Sequence, residues 1–559
     1  MLVLLLALPV LLPALHGGHF LPPAPDPGSP PEVAGMLGQP GLGPTMPFDP
    51  ERWEWWFDFD QEALLELRAR LPARAAAAGA AFVPVTADDR GNLVIPLLVD
   101  CLRDKPASGL VQLRANPRDV RAAAVVALGR LQRADTVRFI EEVLENDPDR
   151  FVRTQAVLAL GFSGNPQAVE TLVRVFRDEG QGVELRTFAA AGLALVGDPQ
   201  AVDVLRAALS EKALDDVNNQ MRSAVLFAGG VCGDAALLAG LQALPATYLV
   251  RRDPAVRALT GWSLGRLGDA AALTGLLELL GDPDNQVRRS AAAGLEALGA
   301  RPDQAQAAGL LGLVQDERDS AARRILLRAL GRARTDAGRA FLREHVVEGP
   351  FDDRPHAAMG LALDGDAGNA AALLAALDDE HEASHVGAFA VALGLLGAPE
   401  ARAPLAQRLL DEKDPLLLSS LALAVGLAQP DGAELPARLD ALARDATDVE
   451  VVRSAVIGLG LLGRREQLAA LARDLPAMRR LMTRAALAHA LGLVGDRSLI
   501  EPLAALARDP AQHAYVRAYA LQALGELCDP RDISPCWRLS AHVEGHLDTG
   551  FVSELWFAL

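Results

Sequence analysis

A unit of about 33 residues repeats thirteen times along this chain, and no other feature constrains its fold as strongly. In the copy DPDRFVRTQAVLALGFSG, at 147–164, Pro148 marks a turn, Asp149 suits a helix start, and Gly161 and Gly164 follow an apolar stripe. Neither helix of such a unit can bury its stripe alone, so each must pack on its neighbours. The copies align on the residue that matches Gly164, in the series Gln132, Gly164, Gly197, Gly233, Gly268, Gly299, Arg334, Gly365, Gly397, Gln429, Gly463, Gly495 and Cys528.

The repeat predicts an all-α fold class, a right-handed α-α superhelix of about 13 helix pairs over 93–537. Before it we expect a signal-like apolar segment at 1–15, a disordered Pro/Gly tether at 16–50, and an aromatic N-terminal cap helix with its connector at 51–92. A C-terminal cap takes 538–559. With ~9 Å between packed helices, the units would trace an open arc on the order of 100 Å whose inner helices form a concave wall.

Composition excludes several classes of function. Half of the residues are hydrophobic but only 4% are aromatic, which favours closely spaced helices with small side chains. The formal charge of −18 argues against general binding to nucleic acid or to anionic membranes. Four cysteines make no disulfide scaffold. Cys528 and Cys536 flank a Pro-containing loop and are either paired or two free thiols.

The first residues, MLVLLLALPVLLPAL, form an apolar run too short and too interrupted by proline to span a membrane as a helix. The run is typical of a secretory signal, so we expect export to the periplasm or cell envelope. No Lys or Arg precedes it and no small-x-small cleavage site follows it. An uncleaved segment is the alternative, and it is the one route to a membrane that the sequence offers.

Aromatic residues crowd the start of the ordered region, in RWEWWFDFDQEALLELRARL at 52–71. Such side chains can cover the open apolar end of a repeat stack, which solenoids require. Alternatively, Trp53, Trp55 and Trp56 form an exposed patch that docks a partner, because aromatic residues are enriched at interfaces.

An arginine column lies eight residues before the first glycine of each unit. We expect these arginines to pair with aspartates two to six residues before them, as at Asp119, Asp149, Asp216, Asp253 and Asp284, in a ladder that fixes the register between units. Capture of a ligand by the same column is the alternative. The arginines are Arg121, Arg153, Arg186, Arg222, Arg257, Arg288, Arg323, Arg354, Arg484 and Arg517.

The column lapses in three consecutive units, where Val386, Leu418 and Val452 replace arginine. Units without the ladder should be the most compliant part of the array. We therefore expect a hinge or a partner groove there.

Two segments imitate catalytic motifs. GWSLG at 261–265 fits G-x-S-x-G, but the repeat register places it late in an inner helix, where a strand-to-helix turn cannot form. GLGLLG at 458–463 fits G-x-G-x-x-G, but it ends a helix instead of opening one. Both predict structural roles.

HEASH at 381–385 fits the zinc motif H-E-x-x-H, which needs both histidines on one helix. The repeat register places His381 in the turn and His385 at the start of the inner helix, so we expect that they do not share a helix. A metal site carried by the turn is the remaining alternative.

The helix pair with a DP turn, VR at the inner-helix start and ALGxLG at its end resembles HEAT repeats of the phycobilisome-lyase type. The leader, HGG at 16–18, the tether and the WxWW helix also resemble a group of exported bacterial HEAT-repeat proteins of undefined activity. The resemblance implies an α-solenoid. Deoxyhypusine hydroxylases share that fold and hold iron on His-Glu pairs at the inner-helix starts, but the matching positions here, such as Thr154-Gln155, have none.

These observations predict a monomeric, non-catalytic protein-protein interaction scaffold that uses its concave face and needs no cofactor. The partner is a protein of unknown identity and not a nucleic acid. The alternative is a ligand-binding or lyase-like enzyme, tetrapyrrole- or metal-dependent, as the phycobilisome-lyase resemblance implies.

Overall fold

The structure, a computed structural model, describes residues 52–79, 81–103, 116–244, 253–299 and 304–532. These residues are 80% helical and contain no strand. The all-α prediction is therefore confirmed. The apolar leader, the tether, Cys536 and the predicted C-terminal cap lie outside the described residues.

Two long helices precede the repeats, α1 (Trp53–Leu65) and α2 (Leu67–Ala77), and two short helical turns (Ala87–Asp89 and Arg90–Val94) lead into the first unit. The thirteen units follow as pairs of an outer and an inner helix, numbered along the chain. The outer helices are α3 (Ile95–Leu102), α5 (Ala134–Asn146), α7 (Ala168–Arg177), α9 (Pro199–Ala208), α11 (Leu238–Ala243), α13 (Leu273–Leu279), α15 (Gln304–Asp316), α17 (Asp336–Glu348), α19 (Ala370–Asp379), α21 (Arg402–Asp411), α23 (Glu434–Asp445), α25 (Arg465–Asp474) and α27 (Ile500–Arg508).

The inner helices alternate with the outer ones and pack side by side in chain order. They are α4 (Arg118–Arg130), α6 (Arg150–Phe162), α8 (Val183–Val196), α10 (Asn219–Cys232), α12 (Pro254–Arg266), α14 (Asn285–Leu298), α16 (Ser320–Ala333), α18 (Arg354–Asp364), α20 (Ala383–Leu396), α22 (Pro415–Ala428), α24 (Val449–Leu461), α26 (Leu481–Val494) and α28 (Ala514–Leu527).

The repeat series marks the ends of the inner helices. Eleven of its thirteen members, from Gln132 to Gly463, have a positive φ, and three of these, Gln132, Arg334 and Gln429, are not glycine. Left-handed residues end helices in this way because they satisfy the last free carbonyls. At the other end, Asp149 caps α6 by accepting from the Phe151 backbone N–H over 2.9 Å.

Small residues let the inner helices approach closely. A Cβ built on Gly161 would lie 2.7 Å from the Gly192 Cα on the next inner helix, and one on Gly129 would lie 2.8 Å from the Ala159 Cα. Such spacing leaves no room for a side chain. The low aromatic content of the chain is thus a packing requirement of the inner layer.

The array closes into a ring, because α28 packs against α4 as each inner helix packs against the next. A Cβ built on Gly525 would lie 2.9 Å from the Ala127 Cα, the same register as at the steps within the array. The HEAT-like solenoid is as predicted, but the expected open arc of about 100 Å is wrong. The rotation per unit brings the thirteenth unit back to the first.

The N-terminal arm, which we define as residues 52–79, lies along the inner wall of this ring. At one end, the Trp53 indole N–H donates to the Ser384 backbone oxygen at the start of α20, over 2.9 Å. At the other end, Arg68 donates to the backbone oxygens of Glu526, in the last turn of α28, and of Asp529, just beyond it. The arm therefore crosses the wall from the N-terminal to the C-terminal ends of the inner helices.

The arm corrects the expected role of the aromatic residues. Trp53 and Trp56 are 3% and 1% exposed, so they are not a docking patch, and the side chain of Trp55 lies outside the described residues. They cover no open end either, because the ring has none. Trp53 packs on α20 and Trp56 on α16, in the middle of the array.

Beyond the arm, the chain leaves the ring at its C-terminal rim. The Val83 backbone exchanges hydrogen bonds with the Asp496 carboxylate and the Arg497 N–H, over 3.1 and 3.0 Å. Arg90 then donates to the Cys528 backbone oxygen over 2.7 Å before α3 begins. In the part of the chain that the structure describes, no helix is both long and apolar enough to span a membrane.

Candidate functional site

The arginine column forms a ladder along the rim where the inner helices begin. Arg121 donates to the Asp147 carboxylate over 2.9 Å, and Asp147 lies in the turn of the following unit. Further acids in this role are Asp282 for Arg257, Glu317 for Arg288 and Asp353 for Arg323, over 2.8, 2.9 and 2.6 Å. Each of these ion pairs links two neighbouring units.

The acid partners are not the aspartates expected from the sequence. Asp149, Asp253 and Asp284 accept backbone N–H groups as N-caps of their own helices. The arginines instead reach acids about 25 to 30 residues further along the chain. The acids of the ladder therefore come from the turn of the next unit, and not from the aspartates just before each arginine.

The other members of the column bond to turns in several ways. Three donate to backbone oxygens of their own unit: Arg153 to Asp147, Arg186 to Phe176 and Arg222 to Leu214. Three reach the next unit: Arg354 lies 3.9 Å from the Glu380 carboxylate, Arg484 donates to the Gln512 side chain over 2.9 Å, and Arg517 donates to the Asn116 side chain over 2.8 Å. The last of these contacts closes the ladder across the seam between the thirteenth and first units.

The lapse in the column is buried. Val386, Leu418 and Val452 are 4%, 6% and 0% exposed, so their side chains line no exposed partner groove. Arginines of the outer helices bridge the units there: Arg408 donates to the Leu377 backbone oxygen and Arg438 to that of Glu412, over 2.9 and 2.8 Å. The hinge at these units stays a prediction.

His381 and His385 occupy the two places that the repeat register predicted. α20 begins at Ala383, so His381 lies in the preceding turn and is exposed, whereas His385 is buried in the helix. His385 Nδ1 lies 3.1 Å from the Glu380 carboxylate, and its ring contacts Phe351. Among the described residues, no group of three or more His, Cys, Asp and Glu side chains could hold a metal ion.

The two remaining look-alike motifs lie within helices. Ser263 is fully buried in α12 and donates its hydroxyl to the Leu226 backbone oxygen over 2.8 Å, so it is not exposed for nucleophilic attack. The glycines at 458–463 end α24, where Gly458 and Gly460 contact neighbouring helices and the arm. Helix packing accounts for both segments.

A buried charge cluster joins three inner helices to the arm. Arg328 on α16 donates from Nε to the Glu296 carboxylate of α14 over 3.0 Å. Its Nη1 lies 2.7 Å from His356 Nδ1 of α18. The guanidinium also lies 4.6 Å from the Trp56 ring of the arm. Sequence reasoning missed this cluster, although Glu296 stands where most copies have their first glycine.

A second cluster lies at the seam. The Glu526 carboxylate on α28 lies 3.2 Å from Arg130 on α4 and 3.2 Å from His489 on α26. Burial alone would raise the pKa of Glu526, but His489, Arg130 and Arg68 together lower that pKa to about 2. Next to it, burial raises the pKa of the Cys528 thiol to about 12, so this cysteine is an inert thiol at neutral pH.

An exposed apolar pair lies on the ladder rim, and the sequence did not reveal it. Phe351 and Val347 are 54% and 49% exposed, the highest values among the large apolar side chains that the structure describes. Phe351 lies in the turn of Asp353, which Arg323 holds, and its ring lies 4.2 Å from that of His385. The exposed aromatic ring is therefore held on a fixed support.

A shallow cleft opens between α23 and α25. It has a volume of about 830 Å³ and is lined by both acids and bases, among them Asp440, Arg444, Arg464, Glu466 and Arg473. Arg444 is bound to Asp440 and Asp474 over 2.8 and 2.7 Å. Arg444 and Asp440, two of the charged side chains that line the cleft, therefore already pair with each other.

The fold and its ladder define a ring-closed α-solenoid of helix pairs. A family profile described as HEAT repeats matches residues 107–184, 211–298 and 243–331, and one described as the PBS lyase HEAT-like repeat matches 185–211. Residues 107–331 therefore carry HEAT repeats, and the repeat at 185–211 is of the PBS-lyase type. No curated protein matches it.

Solved structures with similar folds include human deoxyhypusine hydroxylase in complex with glycerol, at 21% identity and a TM-score of 0.22, covering 47% of this chain and 96% of that one. The CpcE–CpcF complex of phycocyanin lyase from Nostoc sp. PCC7120 matches at 21% identity and a TM-score of 0.29, covering 50% and 98%. Kap121p bound to Ste12p matches at 13% identity and a TM-score of 0.33, covering 81% and 56%. These likenesses concern the fold alone.

Proposed function

We propose that this protein is a non-catalytic scaffold that binds a protein partner on the outside of a rigid ring. Ring closure is the observation that carries this proposal. The inner helices are buried over most of their length, and the N-terminal arm lies along part of their wall. We therefore place the partner on the rims and the outer helices, and not on the concave wall expected from the sequence.

The ladder supports the same proposal. Ion pairs and side-chain hydrogen bonds join neighbouring units and cross the seam, which limits the flexing that open solenoids allow. A surface that does not rearrange loses little conformational entropy on binding. The formal charge of −18 favours a basic partner and disfavours nucleic acid.

A ligand-binding or lyase-like activity is the second candidate, and the cleft between α23 and α25 is the observation that favours it. Its volume of about 830 Å³ is in the range of small-molecule sites. Its mixed charges suit a ligand that carries both signs. Loss of ligand binding in Arg464→Ala and Arg473→Ala variants would support it.

Export to the cell envelope belongs to the proposal and rests on the sequence of residues 1–15. The monomeric state is a further part of the proposal. Fractionation of cells that express the full chain tests the location, and N-terminal sequencing of the mature protein tests removal of the leader. An intact leader in a cytoplasmic fraction would contradict export.

The decisive experiment for the scaffold combines capture with spectroscopy. Purified chain should be colourless and free of stoichiometric metal, and it should retain one defined protein from an envelope extract. A coloured preparation, or bound metal that is lost in His381→Ala, would overturn the scaffold in favour of the enzyme class.

A further inference from the structure

We propose that the face around Phe351 docks a basic amphipathic segment of the partner protein. The inference rests on the proposed scaffold function and names its contact surface. We define the Phe351 face as residues 341–354 and 379–386, which are two neighbouring turns on the ladder rim with the helix ends that flank them.

The apolar centre of this face is built as an anchor. Phe351 and Val347 are exposed, although most large apolar side chains of the described residues are at least partly buried. The turn of Phe351 is fixed to α16, because Asp353 accepts from Arg323 over 2.6 Å and from Arg324 over 3.2 Å. Preorganised aromatic side chains of this kind dominate the energy of protein interfaces.

The fully exposed charges around the anchor have one sign. The exposed acids of the face are Glu344, Glu348, Asp352, Asp379 and Glu382, of which Asp352 also accepts from Arg324 over 3.1 Å. Its two arginines, Arg343 and Arg354, are half-buried and bond within the ring, to Asn369 and to the Gly349 backbone oxygen. The face therefore attracts Lys or Arg side chains that surround an apolar residue.

Charge also argues against segments of this chain as the ligand of the Phe351 face. Residues 1–51 contain no Lys or Arg but four acids, and residues 533–559 contain one Arg and three acids. A second copy of the chain, with a formal charge of −18, would place like charges on the face. A basic segment of another protein is the occupant that the face complements.

The test uses the full chain and three fluorescent 14-residue peptides: an amphipathic Lys/Leu peptide, its Glu/Leu counterpart and a Lys/Ser peptide without apolar residues. Anisotropy at physiological salt should show the Lys/Leu peptide binding at least tenfold more tightly than the other two. Hydrogen exchange with that peptide bound should protect 341–354 and 379–386.

Matched variants locate the contact. Phe351→Ser with Val347→Ser should weaken the Lys/Leu peptide about tenfold, whereas Leu93→Ser with Val83→Ser, an exposed apolar pair elsewhere, should change it less than twofold. Glu344→Gln with Glu348→Gln should weaken binding more than Glu170→Gln with Glu179→Gln on α7 and in the turn after it. Circular dichroism confirms that each variant is folded.

Unchanged affinity in the Phe351 and Val347 variant, protection of another surface, or no binding by the wild type would each overturn the assignment of this face. The scaffold function is tested separately, by measuring whether the same variant captures an envelope protein. Capture that persists in the variant leaves the scaffold standing and refutes only the face. A wild-type chain that captures no envelope protein refutes the scaffold.

Discussion

Arg517 donates to the Asn116 side-chain oxygen over 2.8 Å, although 401 residues separate the two in sequence. Arg121 makes the corresponding contact with Asp147 within the array. Asn116 thus occupies the place that an acid holds in the next unit, and the ladder treats the seam as one more step between neighbours. Ring closure depends on the same chemistry that links consecutive repeats.

Removing the seam contact should destabilise the ring. Arg517 is buried and also donates to the Ala507 backbone oxygen, so Arg517→Ala should lower the free energy of unfolding by about 1–3 kcal/mol. Urea titration measures this change. Arg206→Ala, which removes an exposed pair with Asp203, is the control and should cost less than about 1 kcal/mol. Equal costs for the two variants would contradict a structural role of the seam.

The buried cluster on the inner wall should show the asymmetry of buried ion pairs. Arg328→Ala leaves the Glu296 carboxylate buried without its partner and should cost about 3–5 kcal/mol. Arg328→Met with Glu296→Leu removes both charges and should cost much less. A double variant as unstable as the single one would contradict this asymmetry.

Acid should weaken the seam through Glu526. Its pKa is lowered to about 2 from an ordinary 4.5, so the carboxylate stabilises the fold above pH 4.5 and this contribution is lost as the pH falls towards 2. The loss amounts to roughly 3 kcal/mol. Unfolding free energies at pH 7 and pH 3 should therefore differ less in Glu526→Gln than in the wild type. An identical pH dependence in both proteins would contradict the shift.

Much of the ring was predictable from the sequence, because the repeat reports local structure directly. The series from Gln132 to Gly463 marked helix ends that the structure places at positive φ, and even Arg334 and Gln429 obey it. The register also placed His381 in a turn and Ser263 inside a helix. These features depend on contacts within one unit or between adjacent units.

Closure was not predictable, because a repeat pattern does not reveal the small rotation from each unit to the next. Thirteen such rotations decide whether Gly525 meets Ala127 or ends in solvent. The arm was missed for a related reason: Trp53 and Trp56 contact residues more than 250 positions away. One signal was available, because Glu296 departs from its column and marks the cluster that holds Trp56.

The arm should restrain the units in which the arginine column lapses. Trp53 bonds to Ser384, and its ring lies 3.3 Å from a Cβ built on Gly387, so Trp53→Ala should speed amide exchange in α20. Exchange in α8, which lies six units from α20 around the ring, serves as the control. If 380–460 opens no faster than neighbouring units in either protein, the predicted hinge fails.

The most direct test of the closed ring is a distance across its seam, between the second unit and the last. Spin labels at Ala134→Cys on α5 and Ala505→Cys on α27, with Cys536→Ser, use two exposed sites, and the three described native cysteines are buried. With ~9 Å between packed helices, closure predicts a distance of about 20–30 Å, which double electron–electron resonance can measure. An open arc would place the labels more than about 60 Å apart. A distance distribution centred beyond about 60 Å would therefore contradict the ring.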